Sequence, residues 1–142
     1  RSLFLGGVKI PYRRGLKGHS DADVLLHAVM DALLGAAGRG DIGARFPNTD
    51  SQWRGADSKE LLKIVRAEVA QDGWRVVNLD CTVLAEAPKL KPHLPAMRET
   101  IAGLLEIPGD ACGIKATTSE GLGFVGRSEG MVAMAVVLLA RT

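Results

Sequence analysis

Aromatic residues are scarce, with one Tyr, two Trp and three Phe making up 4% of the 142 residues. Any core must therefore be built from Leu, Val, Ile, Ala and Met. Cysteine is limited to Cys81 and Cys112, at no motif spacing, which argues against a disulfide framework and makes the cytoplasm the expected location. No sign of charge dominates: 18 Lys+Arg against 16 Asp+Glu leave a net +2, and the basic residues form no run, so no nucleic-acid partner is expected. The longest apolar run, Met131 to Ala140, is about half of what a spanning helix needs, so no membrane partner is expected either. Walker-A, H-E-x-x-H, C-x-x-C and G-x-S-x-G segments are all missing, which removes the commonest enzyme readings.

What is present suits a globular chain, 46% hydrophobic and 24% charged, of a length that fits one domain. The 17 glycines announce tight turns or close backbone approaches. Leu3 to Ile10, broken at Gly6-Gly7 and closed by Pro11, reads as strand and turn. Arg13 to Ser20 reads as a loop. Val24, Ala28, Ala32 and Leu33 recur at helical spacing, predicting a helix over Asp21–Ala37 with Ser20 or Asp21 as N-cap. A second helix is expected over Asp57–Gln71, with Asp57 and Glu60 at capping-box spacing and Gly73 as its stop. Alternation of Val77, Leu79, Cys81, Val83 and Ala85 predicts a strand over Arg75–Glu86. A third helix over Leu94–Leu105 and strands over Ala111–Thr118 and Met131–Ala140 complete an α+β order, although the last segment also suits a buried helix. Its residues are apolar at nearly every position, so both faces of that strand need cover, and self-association is the simple answer.

Three segments carry residues capable of chemistry. Asp23, His27 and Asp31 stand at i, i+4 and i+8, one stripe of a helix. An imidazole between carboxylates can bind a metal; the same pattern also suits a solvated polar stripe. Gly121, Gly123 and Gly126 match G-x-G-x-x-G literally. Only 16 of the 142 residues follow Gly126, too few for the helix and strand a dinucleotide site requires. These glycines mark either a close backbone approach or a plain connection. Lys115-Ala116-Thr117-Thr118-Ser119-Glu120 ends a strand in hydroxyls and a carboxylate, suited to phosphate oxygens and Mg²⁺, or to a polar turn. Ala87-Pro88-Lys89-Leu90-Lys91-Pro92 offers a stiff, basic turn.

Taken in order, His19-Ser20-Asp21-Ala22-Asp23, His27, Asp31-Ala-Leu-Leu-Gly35, Gly40-Asp41-Ile42-Gly43, Phe46-Pro47-Asn48-Thr49-Asp50, Ala87-Pro88-Lys89, Lys115 to Glu120 and Gly123-Phe124-Val125-Gly126-Arg127 resemble the motif series of the 2-C-methyl-D-erythritol 2,4-cyclodiphosphate synthase family. The resemblance runs from about Leu5 to the C-terminus. It implies a homotrimer whose subunits are four-stranded mixed sheets with helices on one face, the sheets packed around the three-fold axis. It also implies a small-molecule cytidine diphosphate substrate bound between subunits, whose 2-phosphate attacks the β-phosphorus to give the cyclic diphosphate and CMP. Positioning and electrostatics would carry such a reaction, without a covalent enzyme intermediate.

By resemblance His27 is a Zn²⁺ ligand and Glu120 holds Mg²⁺ or Mn²⁺, while His19 and Thr118 match positions of transition-state stabilisation. Ser20, Asp41, Ile42, Gly43, Phe46, Pro47, Asn48, Thr49 and Asp50 match contacts to the erythritol phosphate end. The segment from Ala85 to Lys91, with Pro88, Lys89, Leu90 and Lys91 near the cytidine, matches further substrate contacts. So do Thr117, Ser119, Glu120, Phe124 and Arg127. Asp31 is expected to support His27. Asn48 stands where Asp is common, which keeps hydrogen bonding but removes a charge. The family's other zinc ligands come as Asp-x-His on its first strand, and this sequence has no Asp-x-His. Residues 1–142 are therefore expected to be one domain lacking its N-terminal strand, with zinc ligands missing. The competing expectation is a non-catalytic trimeric module that binds cytidine nucleotides or isoprenoid diphosphates.

Overall fold

Gly6 and Gly7 adopt φ of 60° and 76°, the left-handed pair that a two-residue hairpin turn requires. They join β1 (Leu3–Leu5) to β2 (Val8–Ile10), which pair antiparallel with Leu5 opposite Val8. A computed structural model of the protein describes residues 3–12 and 22–142; the expected loop from Arg13, together with His19, Ser20 and Asp21, lies outside them. The hairpin is fastened by Asp23, whose carboxylate is fully buried. Its Oδ1 accepts from Gly6 N (2.9 Å) and Leu26 N (3.0 Å), and its Oδ2 from Gly7 N (2.7 Å). One side chain thus caps α1 (Val24–Ala36) and ties the hairpin to it. The cap is Asp23 rather than Ser20 or Asp21, because the helix begins at Val24 and the carboxylate just before it reaches Leu26 N.

The second and third predicted helices appear nearly at the expected bounds. After the short α2 (Ile42–Arg45) comes α3 (Ser58–Gln71), capped by Asp57 Oδ1 accepting from Lys59 N at 2.9 Å. Glu60 turns instead to Lys63, so the reciprocal half of the capping box is replaced by an ion pair at 3.1 Å. Gly73 follows at φ 90°. Helix α4 (Leu94–Leu105) ends at Glu106 in the left-handed region.

The main sheet is mixed, with β3 (Trp74–Leu84) central, β4 (Cys112–Thr117) parallel to it and β5 (Val132–Arg141) antiparallel. Among the described residues it has three strands rather than four, since the β1–β2 ladder closes on itself and pairs with neither edge. Leu79, Cys81, Val83 and Ala85 point into the core with Leu25, Leu26, Val29, Leu62, Val65, Met97 and Ile101 of the helices. Val77 leaves that row because the register of β3 on β5 shifts between Val76 and Asn78. Burial pushes the Cys81 thiol up to about 12, and Cys112 is raised for the same reason; both are free.

The last segment is a strand, not a buried helix. Met134, Val136 and Leu138 stand opposite Thr82, Asp80 and Asn78, on the face the helices do not cover, and are 52%, 73% and 55% exposed. No helix among the described residues is long and apolar enough to cross a membrane.

Candidate active site

Two groups of predicted residues assemble, at different places. The first surrounds a cavity of about 300 Å³ lined by His27, Met30, Ile42, Gly43, Phe46, Pro47, Asn48, Thr49, Trp53 and Leu61. His27 and Met30 face it from one flank of α1, whose other flank is buried. The His27 Nε2 lies 3.1 Å from Ser58 Oγ, a fully buried hydroxyl at the start of α3; which atom donates depends on the imidazole tautomer. Asp31, expected to support His27, has another partner. Its Oδ1 accepts from Ile42 N at 2.8 Å and so seats the first turn of α2 against α1. Asp41 caps the same turn through Ala44 N at 2.8 Å. Asp50 caps the next turn through Gln52, whose side-chain and backbone N–H groups lower its carboxyl below the usual range.

The far wall of the cavity is aromatic and tightly held. The Phe46 and Trp53 rings meet edge to face at 4.8 Å between centroids. The Arg45 guanidinium stacks 4.7 Å from the Phe46 centroid and forms a two-pronged ion pair with Glu68 of α3, at 2.7 and 2.6 Å. Met30, Trp53, Ser58 and Leu61 were not expected at the site. Met30 and Trp53 each sit three residues from a predicted residue, the one cue available; Ser58 and Leu61 carried none.

The second group gathers where β3 and β4 end side by side, as parallel strands must. Ligands of α/β sheets collect outside such carboxyl ends. Pairing continues one step beyond the strands, with Ala85 N donating to Thr117 O at 3.0 Å. The next residue, Glu86, then faces Ser119. Its Oε1 accepts from Ser119 N (3.0 Å) and Gly121 N (3.1 Å). The Ser119 hydroxyl lies 3.2 Å from the same oxygen, but its single proton has a nearer acceptor in Leu122 O at 2.7 Å. Glu120 N donates to Thr118 Oγ1 at 3.2 Å. Three successive N–H groups therefore already have side-chain acceptors within the chain. The Gly121 N–H, followed by that of Ser119, lowers the Glu86 carboxyl below the ordinary range despite partial desolvation.

Glu120 occupies this bend in the left-handed region, at φ 56°, a conformation costing a non-glycine residue about 1–3 kcal/mol. Its side chain is exposed, as are Thr117, Thr118, Phe124 and Arg127; Arg127 pairs with Glu129 at 3.1 Å. The glycines that mimic a dinucleotide motif close the loop on itself. A Cβ on Gly126 would come within 2.1 Å of the Gly121 carbonyl carbon. The turn holding Pro88, Lys89 and Lys91 leads away from the same strand end, with a cis Ala87–Pro88 bond. Ala85 and Leu90 are buried at 7% and 4%, so little of either is open to a ligand in the single chain.

The profile of the YgbB family matches residues 1–140, almost the whole chain. The chain belongs to this family. The 2-C-methyl-D-erythritol 2,4-cyclodiphosphate synthase of Symbiobacterium thermophilum is 59% identical over 140 residues, covering 99% of this chain and 89% of that one. Among solved structures, the bifunctional IspDF of Campylobacter jejuni superposes with a TM-score of 0.96 at 46% identity. It covers all of this chain, which in turn spans only 38% of that longer protein. IspF of Plasmodium falciparum, solved in complex with CDP, superposes at 0.87 with 30% identity, covering 99% and 85% of the respective chains.

Within the described chain the His27 half and the Glu120 half are each locally ordered but do not line one cavity. None of Thr117 to Glu120, Phe124 or Arg127 is among the described residues lining the His27 cavity. The described residues do not by themselves make a zinc site, since they contain no group of three His, Cys, Asp or Glu side chains able to hold an ion. His27 offers one donor where a zinc site of this kind needs three or four. Glu120 fits a hard cation better, because Mg²⁺ is commonly held by one or two carboxylates plus substrate phosphates.

Proposed function

We propose that this protein converts 4-diphosphocytidyl-2-C-methyl-D-erythritol 2-phosphate to 2-C-methyl-D-erythritol 2,4-cyclodiphosphate and CMP, in the non-mevalonate route to isoprenoids. The likeness to cyclodiphosphate synthases over nearly the whole chain carries this reading. In the reaction an oxygen of the 2-phosphate forms a bond to the β-phosphorus, and the bond from that phosphorus to the bridging oxygen breaks. CMP departs with the bridging oxygen, and no water is consumed.

The apolar cavity beside His27 suits the methylerythritol portion, with Ile42, Phe46 and Trp53 as walls. The exposed hydroxyls of Thr117 and Thr118, the Glu120 carboxylate and the Lys89 turn suit the diphosphate and cytidine portion. His19 and Ser20 belong to the same reading but lie outside the described residues. His27 would supply one ligand to Zn²⁺, with the rest from outside the described residues, and Glu120 a ligand to Mg²⁺ or Mn²⁺; such ions, when bound, neutralise and polarise phosphate oxygens. The chain's own share is to hold the two phosphoryl groups within reach of each other and to exclude competing water.

Because the two halves do not share a cavity within one chain, the reading includes a homotrimer with each site completed by a neighbouring copy. The exposed row Met134, Val136 and Leu138 supports this, as do Leu122 and Phe124, which are 73% and 49% exposed. A cytoplasmic location accords with the two free, buried thiols.

The test is CMP release from the diphosphocytidyl substrate with Mg²⁺ and Zn²⁺ supplied, alongside CDP binding by calorimetry. Turnover with formation of the cyclic diphosphate is expected. Binding of CDP without any CMP release would replace the enzyme with a nucleotide-binding module.

A further inference from the structure

Glu86, unlike the exposed Glu120 beside it, is turned toward backbone. Its Oε1 spans the N–H groups on either side of Glu120, namely Ser119 N and Gly121 N. Neighbouring N–H groups of a bend that converge on one point form a small anion-holding concavity, here those of Ser119 and Gly121. Here the anion is supplied by the chain itself. The bend that this carboxylate fills is the one forcing Glu120 into the left-handed region, with Thr118 Oγ1 taking the intervening N–H. No other side-chain oxygen among the described residues receives Ser119 N or Gly121 N. Remove Glu86, and the conformation that aims Glu120 outward loses both of its lateral supports.

We propose that Glu86 is a positioning residue, an internal carboxylate that clamps the Ser119–Gly121 bend so that the Glu120 carboxylate is presented to a divalent cation. The inference rests on the reading of Glu120 given under the proposed function. It assigns Glu86 no contact with substrate or metal. What matters is reach rather than charge, because both backbone hydrogen bonds end on a single oxygen that an amide carbonyl can replace. Glutamine in its place keeps an acceptor at the same distance. Aspartate keeps the charge but withdraws the oxygen by about 1.5 Å, beyond hydrogen-bonding range.

The experiment compares Glu86→Gln, Glu86→Asp and Glu86→Ala in the assembled full chain. It measures amide exchange at Ser119 and Gly121, kcat and KM for CMP release, and the Mg²⁺ concentration giving half-maximal rate. For Asp and Ala, exchange at both amides should quicken at least tenfold; kcat or apparent Mg²⁺ affinity should fall by about 10–100-fold, the usual loss when a partner orienting a metal ligand is removed. The substrate KM should stay within about threefold, a split that general loosening of the fold would not produce. Gln should restore both amide protection and rate to within about threefold of the original. Should Asp be active and Gln inactive, the charge would be the working feature and the clamp would be wrong. Rapid amide exchange with undiminished rate and Mg²⁺ dependence in Glu86→Ala would overturn it too. Failure of the unsubstituted protein to release CMP would instead remove the reading on which the clamp depends, and it is distinguishable because the amide comparison needs no turnover.

Discussion

Asp23 shows how one side chain can hold more of the molecule than its place in a metal-like stripe suggests. Its three accepted N–H groups belong to two different elements, the Gly6-Gly7 turn and the first turn of α1. Both oxygens are therefore occupied by backbone, and the residue is fully buried. Asp23→Ala removes a helix cap, worth about 0.5–2 kcal/mol. It also strands the turn N–H groups, at about 1–3 kcal/mol for each left unsatisfied. A loss of about 3–5 kcal/mol is expected, read as a lower urea midpoint at unchanged slope. Asp23→Asn keeps Oδ1 for Gly6 and Leu26 but sets an amide NH₂ against Gly7 N, so its loss should be smaller; a midpoint equal to that of the original protein would refute the clamp. At this scale the sequence misleads for a physical reason. Spacing places Asp23, His27 and Asp31 along one stripe, yet both Asp23 oxygens accept from the hairpin and Asp31 Oδ1 from α2, partners that local periodicity does not contain. Glu86 was hidden in the same way, since its partners are 33 and 35 residues away and are brought beside it only by strand register.

Elements whose ends are marked by local chemistry were legible. Helix α3 begins one residue after its Asp57 cap, α4 covers the predicted Leu94–Leu105, and β3 alternates as its sequence does up to the register shift at Val77. The strand count was not legible, because nothing local says whether a three-residue strand closes on its hairpin partner or joins a larger sheet. The glycine-rich segment was half legible. Room along the chain excluded a dinucleotide site, but the choice between a close approach and a plain connection required the fold. Gly126 is absent from the residues with positive φ, so its backbone would accept alanine; what forbids it is contact. An added Cβ would lie 2.1, 2.5 and 2.8 Å from the carbonyl carbon, oxygen and Cα of Gly121, all backbone atoms that cannot rotate aside. Gly126→Ala must therefore displace the 121–126 loop and, through Gly121, the bend bearing Glu120. CMP release is expected to fall by at least about tenfold, as a displacement near 1 Å at a positioned group can do. The melting temperature should change only by the few degrees that about 1 kcal/mol brings at this size. Full activity in this variant would mean that the loop has a second conformation of equal use.

At the scale of the whole molecule, the described residues finish one sheet face with helices and leave the other without them. On the uncovered face Asp80 pairs with Lys115 at 2.6 Å, while the neighbouring strand presents Met134, Val136 and Leu138 in a row. The row was readable as a strand needing cover on both faces; the described residues supply only one. In the trimer read for this protein, the row is the natural seam, and it would bring the His27 cavity of one copy toward the Glu120 loop of another. Val136→Asp separates assembly from folding. Val136 is 73% exposed in the chain alone and faces Asp80 across the strands, whose charge Lys115 partly offsets, so the substitution should cost the isolated fold no more than about 1 kcal/mol. Within a seam it would bury an unpaired carboxylate in every copy, at several kcal/mol each. Sedimentation should then report the 15.0 kDa chain mass in place of three times that value, with circular dichroism unchanged and CMP release lost. If Val136→Asp stays trimeric, the row is not the seam; if the unsubstituted protein sediments as a monomer and still turns over, the two halves of the site must meet within one chain.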